Sequence, residues 1–368
     1  MNRRDFIYAA SASAASAAVP AQALAQASIQ SNRDAGSTAH PTGAKLRTIT
    51  LEEHFSTPGF VAGPGKAFIE SMRHAGARGA KILQQLADVG DGRLAEMDAA
   101  GIDMQVLSLN APGVEQAEAA EQIAVAREAN DFLADVVKKH PQRFAGFASL
   151  PIGAPDRAAE ELDLRVRQGF KGPLINGHTR GRYLDDKFFT PILERAEALA
   201  VPIYLHPTVP PQPVVDALYS GFSPPVSATL AAAGWGWHIE TAVHLIRMIL
   251  GGVFDRHPKL QVVVGHLGEG LPFMLPRLNR NLPTGLTKLE RPLGAYLREN
   301  VHYTFAGFNF PATFLDLLLE VGVDRIMFSV DHPYGSMAEA RAFLDQIPVS
   351  PVDRERIAHG NAERLFKL

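Results

Sequence analysis

The hydrophobic and polar positions of this chain follow two alternating spacings. Short, almost entirely apolar runs, such as VPIYLHP at 201–207, follow longer stretches in which apolar residues recur at helical intervals, such as FFTPILERAEALA. Continuous apolar runs are typical of parallel strands that are buried on both faces. Eight such candidate strands occur after residue 46, at 47–54, 104–112, 143–151, 172–178, 201–207, 260–268, 300–308 and 325–333.

Eight strands that alternate with helices predict an α/β protein with a (β/α)8 TIM barrel. A doubly wound open sheet is the alternative, but no G-x-G-x-x-G pattern follows the first strand. We therefore expect residues 46–368 to form a single barrel domain. The segment 208–237 is rich in Pro, Gly and aromatic residues and is too long for an ordinary connection. We expect it to fold over the site or to form a subunit contact.

The first residues have the features of an export signal. Arg3 and Arg4 precede a weakly apolar Ala/Ser-rich run that ends in A-x-A sites. This layout predicts a twin-arginine-like signal over 1–27 and a periplasmic or exported protein, although a disordered Ala-rich tail is the alternative. The run is too short and too polar to span a membrane, so no membrane contact is expected after signal removal. Residues 28–45, rich in Ser, Gly, Asn and Thr, predict a flexible linker.

The composition limits the chemistry that the chain can perform. It has 368 residues, is 46% hydrophobic and carries a net charge of −3, which gives no reason to expect a nucleic-acid partner. There are no cysteines, so disulfides, thiolate ligands and cysteine nucleophiles are excluded. Any bound metal must use histidine and carboxylate ligands, which suits Zn²⁺, Mn²⁺ or Fe²⁺.

Ionisable side chains gather at the carboxyl ends of the predicted strands. Glu52 and His54 end the first strand, and three later strands end in His206, His266 and Asp331. These ends meet at one mouth of a barrel, where buried ionisable groups need a partner or a function. Taken alone, Glu52 and His54 could be metal ligands, an acid–base pair or a solvated strand end. The convergence of all five groups predicts a site for one divalent metal ion, with Glu52 and His54 among its ligands.

Strand alternation separates the neighbours in the sequence LEEHF. Glu52 and His54 share one face of the strand, and Glu53 is expected to face away from the metal. Other histidines fit different roles. His238 is on a helical stretch and is assigned to the core or an interface, and His178 is a weaker candidate for the mouth.

Several motifs resemble those of one known family. LEEHF, NGHTRGRYLDD, VPIYLHP, GHLGEGLPFMLPRL, MFSVDHPYG and GNAERLFKL are similar to motifs of the amidohydrolase-2 branch of the amidohydrolase superfamily, over residues 46–368. The branch contains aminocarboxymuconate-semialdehyde decarboxylases and non-oxidative hydroxybenzoate decarboxylases. The likeness is greatest to γ-resorcylate and 2,3-dihydroxybenzoate decarboxylases. It implies a metal-dependent barrel enzyme that forms a homodimer or homotetramer.

The resemblance also implies roles for individual residues. One Zn²⁺ or Mn²⁺ ion would be bound by the residues that match the family's ligands, which are Glu52, His54, His206 and Asp331. His266 matches a second-sphere histidine with Glu269 as its hydrogen-bond partner, and Arg277 matches a substrate-binding arginine. No lysine matches the bridging lysine of the superfamily's fourth strand, which argues against a binuclear hydrolase.

One motif departs from the family's pattern. Where these decarboxylases have D-W-P-F or D-Y-P-F, this chain has Asp331-His332-Pro333-Tyr334. Tyr334 keeps a ring near the substrate and, together with Phe55, is a candidate for the apolar wall of the site. His332 adds a titratable group and leaves the natural substrate open.

The resemblance implies the non-oxidative decarboxylation of a small aromatic carboxylic acid of the ortho-hydroxybenzoate type, and the chemistry of these residues agrees with it. Asp331 would protonate the ring carbon, His266 and Glu269 would assist substrate ionisation, and Arg277 would grip the carboxylate or a ring hydroxyl. The same site could instead activate water and open a lactone or an amide, as a metal-dependent hydrolase. A non-catalytic periplasmic protein that binds a metal or an aromatic acid is the third possibility.

Overall fold

Eight parallel strands carry the fold, and each coincides with an apolar run predicted from the sequence. The computed structural model describes residues 46–368. Its strands are β1 Ile49–Phe55, β2 Met104–Leu109, β3 Phe144–Gly146, β4 Leu174–Asn176, β5 Ile203–His206, β6 Val262–Val264, β7 Val301–Thr304 and β8 Ile326–Met327. The export signal predicted over 1–27 and the linker predicted over 28–45 lie outside the described residues.

The strands follow one another around a closed barrel. β1, β2 and β3 form one parallel sheet, and β4 to β8 form a second. Single parallel bridges join the two sheets, one between Ala148 and Pro173 and one between Leu51 and Ser329. The predicted α/β class and (β/α)8 TIM barrel are therefore confirmed.

Helices separate the strands along the chain. Those that precede β2 are Pro58–Ala62, Lys66–His74, Gly76–Ala87 and Asp91–Ala100. The later long helices are Ala119–Lys139, Pro155–Arg167, Thr190–Leu199, Gly236–Leu250, Leu271–Asn281, Pro311–Val321 and Met337–Gln346. Shorter helices are Gln212–Leu218, Pro224–Ala231, Val253–Arg256, Thr284–Thr287, Leu293–Glu299, Pro351–Glu355 and Asn361–Phe366. None of the helices within 46–368 is long and apolar enough to cross a membrane.

Alternate residues of the strands fill the inside of the barrel. One buried apolar cluster takes every second residue of a strand, such as Ile49 and Leu51 of β1 and Met104 and Val106 of β2. Intervening residues pack outwards in a larger cluster that the strands share with the surrounding helices. This division explains why the strands are almost continuously apolar, since both faces are buried.

The C-terminal helix closes the end of the barrel at which the strands begin. Its Arg364 side chain donates a hydrogen bond of 2.9 Å to the carbonyl of Asp324, just before β8. Phe366 joins the interior cluster, with its ring centroid 5.3 Å from that of Phe147. Because this end is filled, polar groups at the opposite end, where the strands terminate, are the ones placed for function.

The segment 208–237 folds into helices with an exposed apolar surface. Gln212–Leu218 and Pro224–Ala231 form its middle, and three large apolar side chains are 63%, 57% and 55% exposed, namely Leu218, Phe222 and Trp235. Its first part is tied to the loop after β4, because His178 Nε2 donates a hydrogen bond of 3.1 Å to the carbonyl of Val209. The expected role of this segment as a cover or a subunit contact stays a prediction.

Candidate metal centre

β1 ends in a bulge that redirects its acidic residues. The register with β2 shifts between Thr50 and Glu53, which places one extra residue in β1. Glu52 lies at this shift and has a φ of 66°, in the left-handed region that residues with a Cβ rarely adopt. Glu52 and His54 converge on one space, whereas Glu53 contacts the loop after β8. Glu52 and His54 therefore face one space and Glu53 another, as the alternation of side chains along a strand predicts, although this strand is bulged.

Metal-binding atoms converge beyond the ends of β1 and β5. Glu52 Oε1 lies 3.2 Å from His206 Nε2. One ligand atom each from Glu52, His54 and His206 can be chosen so that all lie within 4.8 Å of one another. Asp331 Oδ1 is 3.3 Å from His54 Nε2, so the fourth predicted ligand borders the same space.

The atoms that face this space have no other use in the fold. Glu52 Oε1 and His54 Nε2 are buried and have no hydrogen-bond partner among residues 46–368. The other ring nitrogens are engaged, since His206 Nδ1 donates to the carbonyl of Pro207 at 2.9 Å and His54 Nδ1 lies 3.2 Å from Ser108 Oγ. Both Nε2 lone pairs are therefore left for a cation. Two imidazoles and two carboxylates fit one divalent ion such as Zn²⁺ or Mn²⁺.

Burial sets the protonation of these groups. It lowers the pKa of His54 to about 3 and that of His206 well below its usual value, which leaves both imidazoles in the neutral form that binds metals. Burial also raises the pKa of Glu52 to about 8, a rise that a bound cation would oppose. Desolvation raises the pKa of Asp331 to about 7, against the opposing charge of His266. The Asp331 side chain keeps 18% exposure, so a carboxyl that can hold a proton near neutral pH faces the mouth.

A second cluster of ionisable residues, formed by His266, Glu269 and His238, lies beside the predicted metal ligands. His266 Nδ1 donates to Glu269 Oε1 at 2.7 Å, and His238 Nδ1 donates to the other oxygen of that carboxylate at 2.6 Å. Burial alone would lower the pKa of His266, but the charges of Glu269 and Glu52 raise it to about 10. Burial likewise opposes ionisation of Glu269, but His266 brings its pKa below the ordinary value. These residues therefore form an imidazolium–carboxylate pair at the edge of the donor space.

The turn after β6 brings this pair close to Glu52. Its backbone is left-handed, with φ angles of 51°, 53° and 57° at His266, Leu267 and Glu269. His266 Nδ1 is 4.0 Å from Glu52 Oε1. At the end of β6, Gly265 passes so near that an added Cβ would collide with the Glu52 carboxylate. Any larger residue at this position would have to displace the Glu52 carboxylate.

The loop after β8 places two further predicted residues. Tyr334 donates a hydrogen bond of 2.6 Å from its hydroxyl to Asn110 Oδ1, and its ring centroid lies 5.9 Å from that of His54. Tyr334 therefore borders the site. His332 is buried, with Nδ1 4.0 Å from Glu96 Oε2, and burial lowers its pKa to about 3. The titratable group expected at His332 is thus a neutral imidazole at ordinary pH.

Two predicted substrate contacts are not brought to the donors. Phe55 is 1% exposed and stacks on Phe132 at 5.8 Å within the core between strands and helices. Its assignment to the wall of the site is corrected by the structure, because the residue after an inward-facing His54 turns outwards. Arg277 is exposed on the helix Leu271–Asn281, and its contact with substrate stays a prediction.

Two residues of the site were not foreseen. Tyr204 of β5 is buried inside the barrel and donates its hydroxyl hydrogen to Glu52 Oε2. The sequence signal for Tyr204 is its position two residues before His206. Residues two apart on a strand share a face, so both side chains point inwards. His238, assigned from the sequence to the core or an interface, instead holds Glu269. No sequence signal marks it, because the path of the long segment before it cannot be read from spacing.

Known proteins share this architecture. Residues 87–368 match the family model described as amidohydrolase. γ-Resorcylate decarboxylase from Polaromonas sp. strain JS666 is 38% identical over 339 residues, which cover 87% of this chain and 98% of that protein. A crystal structure of dihydroxybenzoic acid decarboxylase from Polaromonas sp. JS666, with bound manganese and the inhibitor 2-nitroresorcinol, has a TM-score of 0.79 and 37% identity, covering 88% of this chain and 97% of the other.

A further solved relative contains an aromatic acid. The 5-carboxyvanillate decarboxylase of Novosphingobium aromaticivorans, complexed with manganese and 4-hydroxy-3-methoxy-5-nitrobenzoic acid, has a TM-score of 0.80 and 34% identity, covering 88% of this chain and 96% of the other. Together, the family match, the near-complete coverage of the relatives and the barrel with its converging ligands establish that this chain belongs to the amidohydrolase family.

Proposed function

We propose that the protein is a metal-dependent non-oxidative decarboxylase, a carbon–carbon lyase, that acts on an aromatic acid of the ortho-hydroxybenzoate type. The observation that carries the proposal is the position of Asp331. A carboxyl group that can hold a proton near neutral pH borders the converging donors of Glu52, His54 and His206. Support comes from the γ-resorcylate decarboxylase that is 38% identical and is matched over 98% of its length.

One divalent cation, held by Glu52, His54, His206 and Asp331, would supply Lewis-acid binding of the substrate's carboxylate and ortho oxygen. The mixed imidazole and carboxylate set suits Mn²⁺ and Zn²⁺. Manganese is favoured, since the structures of the dihydroxybenzoic acid and 5-carboxyvanillate decarboxylases contain it.

Decarboxylation requires a proton at the ring carbon that bears the carboxylate. Asp331 donates this proton, and the bond from that carbon to the carboxylate then breaks, with its electron pair returning to the ring as CO₂ leaves. The net change is the replacement of the carboxylate by hydrogen, and Asp331 regains its proton from solvent. Burial raises the pKa of Asp331 to about 7 before a cation binds; the cation would lower it again, and the negative charge of a bound substrate would favour the protonated form that donates.

His266 supplies positive charge beside the reacting group. The carboxylate of Glu269 keeps the imidazole protonated, and an imidazolium at this place stabilises the phenolate and carboxylate of a bound hydroxybenzoate. His238 holds the second oxygen of Glu269, so that the carboxylate cannot rotate away from His266. Tyr334 provides a ring at the mouth, near His54.

Turnover of the metal-loaded protein tests the proposal. Protein loaded with Mn²⁺ or Zn²⁺ is given 2,6-dihydroxybenzoate, 2,3-dihydroxybenzoate, salicylate, 5-carboxyvanillate, a lactone and an N-acyl amide. We expect CO₂ release from an ortho-hydroxybenzoate and a fall of about 100-fold or more in Asp331→Asn. Asp345→Asn, at an aspartate whose side chain is 50% exposed, is the matched control and should keep full activity. Ring opening or acyl cleavage without CO₂ would instead establish a hydrolase on the same metal site.

We also propose that the chain assembles as a homodimer or homotetramer and is exported. Assembly is supported by the large exposed apolar side chains, including Phe273 at 76% and Leu319 at 85% exposure. Light scattering that gives the mass of a single chain would contradict it.

Export is supported by the paired arginines of 1–27. Equal periplasmic amounts of the wild type and the Arg3→Lys, Arg4→Lys variant would contradict a twin-arginine route.

A further inference from the structure

Glu53 uses its carboxylate on the backbone that carries Asp331. The side chain is buried. Its Oε1 accepts the backbone N–H of Val330 at 3.0 Å, and its Oε2 accepts that of His332 at 3.2 Å. These are the residues on either side of Asp331. One carboxylate therefore bridges the loop at the residue whose Oδ1 faces His54 Nε2 at 3.3 Å.

The bridge holds a backbone conformation that is unfavourable for Asp331. Its φ of 67° lies in the left-handed region, where the Cβ crowds the neighbouring peptide group. The loop is tied to β1 a second time, because the carbonyl of His332 accepts the backbone N–H of His54 at 2.8 Å. Neighbouring residues of β1, Glu53 and His54, thus fix the loop through its amide and carbonyl groups together.

The surroundings of Glu53 call for a carboxylate rather than an amide. Gln105 Nε2 also donates to Oε2, at 3.3 Å, so three N–H groups point at two oxygens. Both oxygens of a carboxylate can accept hydrogen bonds from these groups, whereas a glutamine would turn its own N–H donors towards some of them.

We propose that Glu53 is a positioning residue for the metal centre. Glu53 holds Asp331 so that the Asp331 carboxyl meets the donors of Glu52, His54 and His206. Glu53 acts through the backbone of Asp331 and does not itself join those donors. This inference rests on the proposed function only in requiring that these four residues bind a divalent ion. Residues that orient metal ligands in this way commonly affect metal affinity as strongly as some ligands do.

Binding of Mn²⁺ by Glu53→Gln tests the inference. The dissociation constant is measured from the electron paramagnetic resonance signal of free Mn²⁺ for the wild type, Glu53→Gln and Glu161→Gln. Glu161 is the matched control, because it is a buried glutamate, 8% exposed, that pairs with Arg165 at 2.6 Å on a helix outside the barrel. We expect about 10- to 100-fold weaker binding by Glu53→Gln and unchanged binding by Glu161→Gln. Binding by Glu53→Gln within twofold of the wild type, or an equal loss in both variants, would overturn the inference.

A second measurement covers the case in which Glu53→Gln does not fold, as circular dichroism of the metal-free variant would reveal. In a crystal structure of the wild type loaded with Mn²⁺, we expect both Glu53 oxygens within hydrogen-bond distance of the Val330 and His332 amides and Asp331 on the ion. A Glu53 carboxylate that has left either amide while Asp331 binds the ion would overturn the inference. A wild type that binds Mn²⁺ but releases no CO₂ would overturn the proposed function alone, whereas one that binds neither Mn²⁺ nor Zn²⁺ would overturn both.

Discussion

At the scale of single residues, the two oxygens of Glu52 have different surroundings. Oε1 faces His206 and has no hydrogen-bond partner within residues 46–368, whereas Oε2 accepts from the hydroxyl of Tyr204. That hydroxyl also lies 2.8 Å from Thr304 Oγ1. One oxygen is therefore anchored inside the barrel, and the other is left for a cation.

Removing this anchor should weaken the metal site. In Tyr204→Phe the Glu52 carboxylate keeps the Thr304 hydroxyl as a donor at 3.4 Å but loses the hydroxyl of Tyr204. We expect Mn²⁺ affinity to fall about tenfold or more. Tyr303→Phe loses a buried hydrogen bond of 2.7 Å to the carbonyl of Leu297 and serves as the control with unchanged affinity. Calorimetric titrations that give three equal affinities would refute the anchoring role.

Glu115 should make folding stability depend on pH. It is buried, its Oε1 accepts the Asn176 N–H at 2.8 Å, and burial raises its pKa from 4.5 to about 7. The folded state thus holds the proton more tightly than the unfolded state. The resulting stabilisation is complete below about pH 4.5 and is lost as the pH rises to about 7.

The variant Glu115→Gln isolates this effect, because it keeps the acceptor but cannot ionise. We expect it to be more stable than the wild type by up to about 3 kcal/mol at pH 8 and by less than about 1 kcal/mol at pH 5. Urea unfolding at both pH values provides the free energies. The same difference at pH 5 and pH 8 would show that ionisation of Glu115 does not limit stability.

Individual site residues were predictable where strand ends reveal them. Glu52, His54, His206 and Asp331 stand at the ends of apolar runs, and the structure gathers them. His238 could not be found this way, because its contact with Glu269 depends on the path of a long segment. Phe55 was misplaced because an aromatic beside a ligand looks like a pocket wall until its face of the strand is known.

At the scale of elements, the end of β6 limits where the Glu52 carboxylate can lie. In Gly265→Ala the new Cβ would displace the Glu52 carboxylate, so we expect Mn²⁺ affinity to fall about tenfold or more. Gly285→Ala adds a Cβ with nothing within 4 Å and should bind Mn²⁺ like the wild type. Equilibrium dialysis with Mn²⁺ measures the affinities of both variants and the wild type. Full affinity in Gly265→Ala would mean that the added Cβ does not displace the Glu52 carboxylate.

The order and type of the strands followed from the sequence, because burial on both faces leaves long apolar runs. The detailed geometry of the strands did not follow from the sequence. The bulge in β1 depends on contacts of Glu52 with distant strands, and no local residue pattern announces it. Likewise β8 is Ile326–Met327, much shorter than its apolar run: the backbone N–H of Phe328 donates to the carbonyl of Ile357 rather than to a strand, and Ser329 makes only a single bridge to Leu51.

At the scale of the whole molecule, a bound ion would join β1, β5 and the loop after β8. An ion that binds the folded state alone stabilises it by about 2.7 kcal/mol at a concentration 100 times the dissociation constant. For a chain of this length we expect Mn²⁺ to raise the melting temperature by roughly 5 °C and EDTA to reverse the rise. Scanning calorimetry measures it, and His206→Ala should show no shift. An equal shift in that variant would place the stabilising ion elsewhere.

The left-handed backbone at the site has a consequence for how relatives of this chain diverge. Among the described residues, φ lies between 51° and 67° at Glu52, His266, Glu269 and Asp331. Each such conformation costs about 1–2 kcal/mol for a residue with a Cβ, and glycine would avoid that cost only by discarding the functional group. Stability and chemistry therefore pull these positions in opposite directions. A lineage that no longer needed the reaction would be free to drift to glycine there, so glycine at these positions would identify members of the family that keep the barrel but have given up the catalysis.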